Sequence, residues 1–256
     1  HNIPRMVFVN KMDHASESVR EIMEALQAVS TKPLVLRQVP IQDDDNVTGF
    51  VDLVSERAYK YKPGERSELI EIPDSVQDRE STARQEMLES LADFDDPLLE
   101  QLLEDKLPPN DEVYEHLTRD LRGDLIVPVF LGAAEQSSGV QRLMKALRHE
   151  APEVSETVER REAPGDDPLV QVFKTFHMPH TGKISLARVW RGTVKDGMSF
   201  GPHKVGGLAR MMGHEQQKIG EAVAGEVVAL GRMEDVDTGM TLTSSGDSDA
   251  MAWPES

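Results

Sequence analysis

Apolar and polar positions follow three textures along the chain, and each predicts a different architecture. Met6-Val7-Phe8-Val9 is a short unbroken apolar run, the pattern of a strand buried on both faces of a parallel sheet. After a polar break, Val19, Ile22, Met23, Leu26 and Val29 recur at helical spacing behind Ser18 and Glu21, which stand as a capping box. The same order returns at residues 125–131, an apolar run that stops at Gly132-Ala133-Ala134 before Val140, Leu143, Met144 and Leu147 share a helical face. Both segments predict strand, turn, helix, the shape of a ligand loop at the carboxyl edge of an α/β sheet.

The second texture lies between them. Leu34-Val35-Leu36 and residues 49–61 read as strands, the latter containing Phe50-Val51-Asp52-Leu53-Val54. Three helical faces follow: Ala83, Met87, Leu88 and Leu91; then Leu98, Leu99, Leu102 and Leu103; then Val113, Leu117 and Leu121. Breaks at Asp95-Asp96-Pro97 and Pro108-Pro109-Asn110 separate them. The third texture is a series of short strands at 169–175, 182–192, 206–212 and 225–230, punctuated by Gly192, Gly197, Gly201, Gly213 and Gly231, which predicts a closed β-barrel. Residues 152–167 are rich in Glu, Pro and Arg without periodicity and read as a linker.

The expected organisation is therefore an α/β sheet region at 1–32 and 125–152, an inserted α+β subdomain at 33–124, a linker at 153–166, an all-β barrel at 167–246 and a tail at 247–256. A chain of 256 residues is long enough for two cores. It has no cysteine, no apolar stretch approaching ~18–20 residues and no recognisable signal peptide, so a reducing compartment, the cytoplasm, is expected and a membrane is not. The formal net charge of −18 argues against a general nucleic-acid binder. Residues 74–124 carry sixteen Asp and Glu against five Lys and Arg, so most of the acidity sits in the inserted helices.

The first turn carries the chemistry. Guanine offers acceptors at O6 and N7 and donors at N1 and N2, so reading it needs an amide on one edge and a carboxylate on the other. Asn10 supplies the amide, Asp13 takes both donors in a fork, and the Lys11 stem lies along the purine face. Adenine would leave the carboxylate facing an acceptor, at a cost of roughly 1–3 kcal/mol or more. The small residues Gly132, Ala133 and Ala134 would let backbone N–H groups approach a base carbonyl closely.

Nothing comparable exists for phosphates. Phosphoryl transfer needs a Gly-x-x-x-x-Gly-Lys-Ser/Thr loop and an Asp for Mg²⁺, and neither the loop nor an Asp-x-x-Gly before Asn10 is present. Asp120 to Gly123 has that second spacing within the acidic helical stretch, with no phosphate loop upstream. The sequence thus predicts no catalytic residue, no bound nucleotide or metal, and a piece of a longer protein whose sheet, through the strands at 3–9 and 125–131, presents an unpaired edge prone to self-association. His177 and His180 flank Met178-Pro179 without a third ligand, and His203 and His214 fall in glycine-rich turns, so no metal site is expected.

Taken in order, these features resemble elongation factor G and its close paralogues among the translational GTPases. Asn10, Lys11, Met12 and Asp13 match the family's Asn-Lys-x-Asp. Gly132, Ala134, Gly139 and Val140 match its second base loop, with Ala133 where serine is typical, and the resemblance implies the Ala134 N–H at guanine O6. Gly49-Phe50-Val51-Asp52-Leu53-Val54 resembles the family's Gly-Val-Val-Asp-Leu, and Val172-Phe173-Lys174, Arg188-Val189, Gly192, Val194, Gly197 and Thr238-Gly239-Met240-Thr241-Leu242 match its second domain. Met178-Pro179 and Ala133 depart from many members and incline toward a paralogue. The resemblance implies the C-terminal half of a GTPase domain at 1–32 and 125–152, GTP or GDP with Mg²⁺ in the parent protein, and translocation on the ribosome. It further implies small-subunit RNA against the barrel and stalk proteins near the acidic insertion. Two alternatives stay open: a peptide-release or ribosomal-protection factor, and a non-enzymatic ribosome- or RNA-binding barrel using Lys174, Lys183, Arg188, Arg191, Lys195, Lys204 and Arg210.

Overall fold

The computed structural model describes residues 3–43, 46–62, 64–178, 182–213 and 215–251. The chain divides into two units, His1–Ala151 and Pro152–Ser256. The first is a parallel α/β region with an antiparallel sheet and helices inserted in it; the second is mostly antiparallel β.

In chain order the first unit holds β1 (Val7–Val9), α1 (Val19–Gln27), β2 (Leu34–Leu36), β3 (Gln38–Asp43), β4 (Asn46–Asp52), β5 (Arg57–Lys60) and β6 (Glu68–Ile70). It continues through α2 (Asp74–Ala92), α3 (Asp96–Leu103), α4 (Asn110–Arg122), β7 (Val127–Leu131) and α5 (Val140–Glu150). The parallel sheet runs β1-β7-β2, so β7, buried along its whole length, is its centre. The antiparallel sheet runs β3-β4-β5-β6.

Two expectations about these strands are corrected. Leu34-Val35-Leu36, assigned from sequence to the inserted subdomain, pairs in parallel with β7 and belongs to the first sheet. The strand expected over 3–9 forms only at Val7–Val9. Proline explains the second difference. The N–H groups of Val127 and Gly132 reach Pro33 and Val9 respectively, so odd residues of β7 face β2 and even ones face β1. Pro128 therefore presents its missing donor to the β1 side, where pairing begins one residue later at Val7↔Val129. Two strands were not anticipated: β3, whose Pro40 masks the pattern but is tolerated on a sheet edge, and the short β6.

The helices over 74–122 form, and α2 and α4 turn their predicted faces inward, whereas Leu99 and Leu103, expected on the apolar face of α3, are exposed. Leu88, Leu91, Leu98, Val113 and Leu117 are buried with Val51 and Leu53 in one core; each such burial is worth about 1.5–3 kcal/mol. Helix α1 starts at a capping box, with the Ser18 N–H donating to the Glu21 carboxylate at 2.8 Å and the Glu21 N–H donating to Ser18 Oγ at 3.3 Å. It ends at Gln27, so Val29, counted from sequence on its apolar face, is 84% exposed.

Helix α5 shows a different face inward from the one its apolar residues predict. Met144 and Leu147 are exposed, while Arg142, Ala146 and Glu150, four residues apart, point into the unit. Charge sets this rotation. Glu150 receives a two-pronged bond from the fully buried Arg37, at 2.6 and 3.1 Å, and Arg142 donates to Asp52 of β4. Both guanidinium groups lie over the Phe130 ring, at 5.3 and 5.4 Å.

Asp52 also accepts from the Val54 and Ser55 N–H groups at 3.2 and 2.9 Å, closing the turn after β4. Burial pushes its carboxyl up, but Arg142, the Ser55 N–H and Arg37 together hold it below the ordinary 3.8. An acid depressed in the folded state contributes stability that is complete above its unfolded value and is lost as pH falls through the folded one. Asp52→Asn is accordingly expected to destabilise the chain at pH ~7, with the gap to wild type shrinking steadily below about pH 4. Urea midpoints across that range measure it, and a gap independent of pH would rule the ionised Asp52 out as a stabilising group.

The second unit opens with α6 (Val154–Arg160) and continues through β8 (Leu169–Met178), β9 (Gly182–Arg191), β10 (Thr193–Lys195), β11 (Ser199–Phe200) and β12 (His203–Lys204). It is completed by β13 (Leu208–Met212), β14 (Glu215–Lys218), β15 (Glu221–Val223), β16 (Val227–Gly231), β17 (Thr241–Thr243) and β18 (Gly246–Ser248). Seven strands form one ladder, β14-β13-β16-β9-β8-β17-β18, flanked by the pairs β10-β15 and β11-β12. Val170, Val172, Val189, Phe200, Val228 and Leu242 fill its core. Among the described residues no backbone pairing joins β14 to β18, so the expected barrel is an open ladder with two small ribbons.

The segment 153–166, expected to be a featureless linker, contains α6. Its signal is a single buried residue, Val158, which packs with Ala163, Leu169, Met251 and Trp190. The tail is likewise partly structural: β18 includes Asp247 and Ser248, and the buried Met251 accepts through its carbonyl from Thr241 Oγ1 at 3.0 Å. Residues 252–256, Pro179, His180 and His214 lie outside the described residues.

Candidate functional site

Val9 and Leu131 are in register on adjacent parallel strands, so the chains leaving them, 10–14 and 132–139, emerge side by side. Four hydrogen bonds then join the two loops. The Gly132 N–H donates to Val9 O at 3.0 Å and the Met12 N–H to Gly132 O at 3.1 Å, stitching the backbones. The Ala134 N–H donates to Asn10 Oδ1 at 2.8 Å, and Gln136 Nε2 donates to Asp13 Oδ2 at 2.8 Å.

The second loop is shaped by its glycines. A Cβ at Gly132 would stand 2.3 Å from Ser138 O and 2.6 Å from the Phe8 ring, and one at Gly139, where φ is +77°, would stand 2.3 Å from Leu131 O. No larger residue fits either position without moving backbone. Ala133 and Ser138 exchange backbone bonds at 3.0 Å each, and the intervening Ala134–Gln136 turn ends at Ser137 in the left-handed region. In the first loop, Lys11 is itself left-handed at φ 62° and accepts the His14 N–H at 2.9 Å, which turns the chain between Asn10 and Asp13. Lys11 is exposed, while Met12 is buried as the anchor.

The structure thus brings Asn10, Asp13, Ala133 and Ala134 into one place, and it alters two assignments. The Ala134 N–H, expected to meet guanine O6, is held by Asn10. The Ala133 N–H faces Ser138 rather than a ligand, and the Ala133 side chain is buried. What this pairing does is orient the Asn10 amide: with Oδ1 occupied, Nδ2 carries the free donors, correct for the N7 and O6 edge of guanine. The free groups, donors on Asn10 Nδ2 and acceptors on the Asp13 carboxylate, complement the two edges of guanine. Gln136 is a contributor that the Asn-Lys-x-Asp pattern does not signal.

Residues 168–245 match the family description "Elongation factor G domain 2". Over 246 residues, 95% of this chain, the sequence is 44% identical to an "Elongation factor G-like protein" of Synechocystis sp.. The chain is elongation factor G-like. It spans 37% of the length of that relative. A crystal structure of a protein from Thermus thermophilus superposes on 99% of the chain with a TM-score of 0.85 at 26% identity, over 38% of its own length.

Within the elongation factor G domain 2 match, most basic residues considered for RNA contact are already engaged. Lys183 Nζ bonds Glu234 O and Asp237 at 2.7 Å, Arg191 is spent on the carbonyls of Ala163, Pro164 and Asp167, and Arg210 pairs with Glu226. Arg188 lies over the Trp190 ring at 5.6 Å. Lys174, Lys195 and Lys204 remain exposed. His203 pairs with Asp247 at 3.1 Å and His177 is exposed; among the described residues no cluster of His, Asp or Glu can hold a metal. No helix among them is long and apolar enough to cross a membrane.

Proposed function

We infer that this chain carries the guanine-reading part of a translational GTPase that acts in GTP-dependent translocation on the ribosome, in the cytoplasm. The observation that carries the reading is the joining of the two base loops through their own specificity groups, Asn10 to Ala134 and Asp13 to Gln136. That arrangement holds both side chains in place at the same end of the sheet, which supports a base site more than an ordinary strand-to-helix turn. In the whole protein GTP, with Mg²⁺, would supply the γ-phosphoryl group and GDP would be what remains after its transfer; the residues here would hold and name the base.

The partner reading follows from the surface. On and around α3, Leu99, Leu103 and Leu107 are 44, 77 and 65% exposed, set among Asp95, Asp96, Glu100, Glu104 and Asp105. An apolar strip with an acidic border suits a basic protein with apolar residues of its own, and the stalk proteins of the ribosome are the partner we infer. The outer edge of β1, unpaired among the described residues, is the surface through which we infer self-association. The engagement of Lys183, Arg191 and Arg210 leaves the RNA-binding module with less support than the GTPase reading.

Titrating guanosine and adenosine into the ¹⁵N-labelled chain tests the base reading. Guanosine is expected to shift the Asn10 side-chain and Ala134 backbone amides with saturation, and adenosine to leave them unmoved. Equal responses to both nucleosides would remove the guanine assignment. Fluorescent GDP is expected to bind with a dissociation constant weaker than roughly 10 μM, about −7 kcal/mol, since no phosphate loop contributes.

A further inference from the structure

We propose that Gln136 is a positioning residue for base discrimination, fixing the plane of the Asp13 carboxylate so that it meets both donors of guanine at once. The proposal rests on the guanine reading above and names a residue that the Asn-Lys-x-Asp pattern does not contain.

Gln136 Nε2 stands 2.8 Å from Asp13 Oδ2. A carboxylate oxygen has two lone pairs, so this bond leaves one on Oδ2 and both on Oδ1, enough to receive N1–H and N2–H in a fork. Without a fixed partner the carboxylate turns freely about its last bond, and a planar edge meets it squarely only part of the time. The nearby alternative is His14, whose Nε2 is 3.6 Å from the same oxygen, beyond hydrogen-bond range, on a side chain 77% exposed. Gln136 is therefore the group that sets the plane. Being uncharged, it does so without neutralising the acceptor that guanine needs.

The backbone of Gln136 is held in place, and its side chain is exposed beside Asp13. It closes the Ala134–Gln136 turn, between the Ala133–Ser138 bridge and the left-handed Ser137. The same turn holds Asn10 through the Ala134 N–H. One rigid turn, two residues apart along its length, thus grips both side chains that read the base, and the spacing 134 and 136 answers the spacing 10 and 13.

The test compares guanosine with inosine, which lacks the N2 amine, by ¹⁵N titration of the whole chain. In wild type the Gln136 side-chain amide resonances should move with guanosine on the same saturation curve as the Ala134 N–H, and guanosine should bind about tenfold tighter than inosine. Gln136→Ala should reduce that ratio to near one while adenosine stays weak, and Gln136→Glu, which sets a like charge beside Asp13, should weaken guanosine more than alanine does. A guanosine-to-inosine ratio unchanged in Gln136→Ala, or Gln136 resonances indifferent to guanosine while Ala134 responds, would overturn the proposal and leave the guanine reading intact. No response to guanosine at Asn10 or Ala134 in wild type would overturn both. Should the variants misfold, the wild-type Gln136 resonances alone decide.

Discussion

Glu150→Ala is expected to destabilise the first unit by about 3–5 kcal/mol, the cost of stranding a buried charge. Arg37 is fully buried, and Glu150 is the carboxylate that receives its two-pronged bond. Stacking over Phe130 at 5.3 Å cannot replace an anion, because a ring quadrupole offers about 1–2 kcal/mol at best. A domain's whole stability is about 5–15 kcal/mol, so the variant should sit close to unfolding. The pair itself contributes far less than its loss costs, and Arg37→Met with Glu150→Leu should recover most of the deficit. Both tryptophans lie after Pro152, whereas α1 to α5 lie before it. Urea unfolding followed by far-UV dichroism should therefore shift strongly in Glu150→Ala, while the Trp fluorescence transition stays near wild type. A dichroism midpoint unchanged by the single substitution would show that water reaches Arg37 and that the pair does not hold α5.

That pair also shows where sequence reasoning stopped. Strands and helices with a clean period were legible: Val127 to Leu131, the helical faces of α2 and α4, and the longest strands of the second unit all formed. What was not legible depended on partners distant in sequence. Helix α5 has its apolar stripe at Leu143, Met144 and Leu147, yet Asp52 and Arg37, some ninety to more than a hundred residues upstream, turn Arg142 and Glu150 inward instead. Leu34-Val35-Leu36 reads as a strand in either sheet, and only its pairing with β7 decides. The short strands β10, β11, β12, β15 and β18 carry two or three residues each, too few for a period of two to stand out. Of the candidate site, Asn10, Lys11 and Asp13 were legible because their chemistry is local. Gln136 was not, because its role exists only once two loops lie side by side.

Asp13→Asn is expected to exchange the base that the site prefers. The carboxylate offers acceptors to N1–H and N2–H, whereas an amide offers one acceptor and one NH₂ group, which then faces the N2 amine of guanine donor to donor. Losing a charge-assisted bond costs about 1.5–3 kcal/mol, so guanosine affinity should fall roughly 10- to 100-fold. Xanthine carries a carbonyl at C2 in place of the amine, and the new NH₂ group meets it as donor to acceptor, so xanthosine should gain about tenfold or more. Gln136 does not block the exchange, since its Nε2 can also donate, more weakly, to an amide oxygen. The ¹⁵N titration reads both nucleosides through the Ala134 N–H, which is held by Asn10 and is untouched by the substitution. A parallel loss for guanosine and xanthosine would mean that residue 13 supports the loop without touching the base. A reversal of preference would assign the N1 and N2 edge of guanine to Asp13, and with it the orientation of the whole base between Asn10 and Asp13.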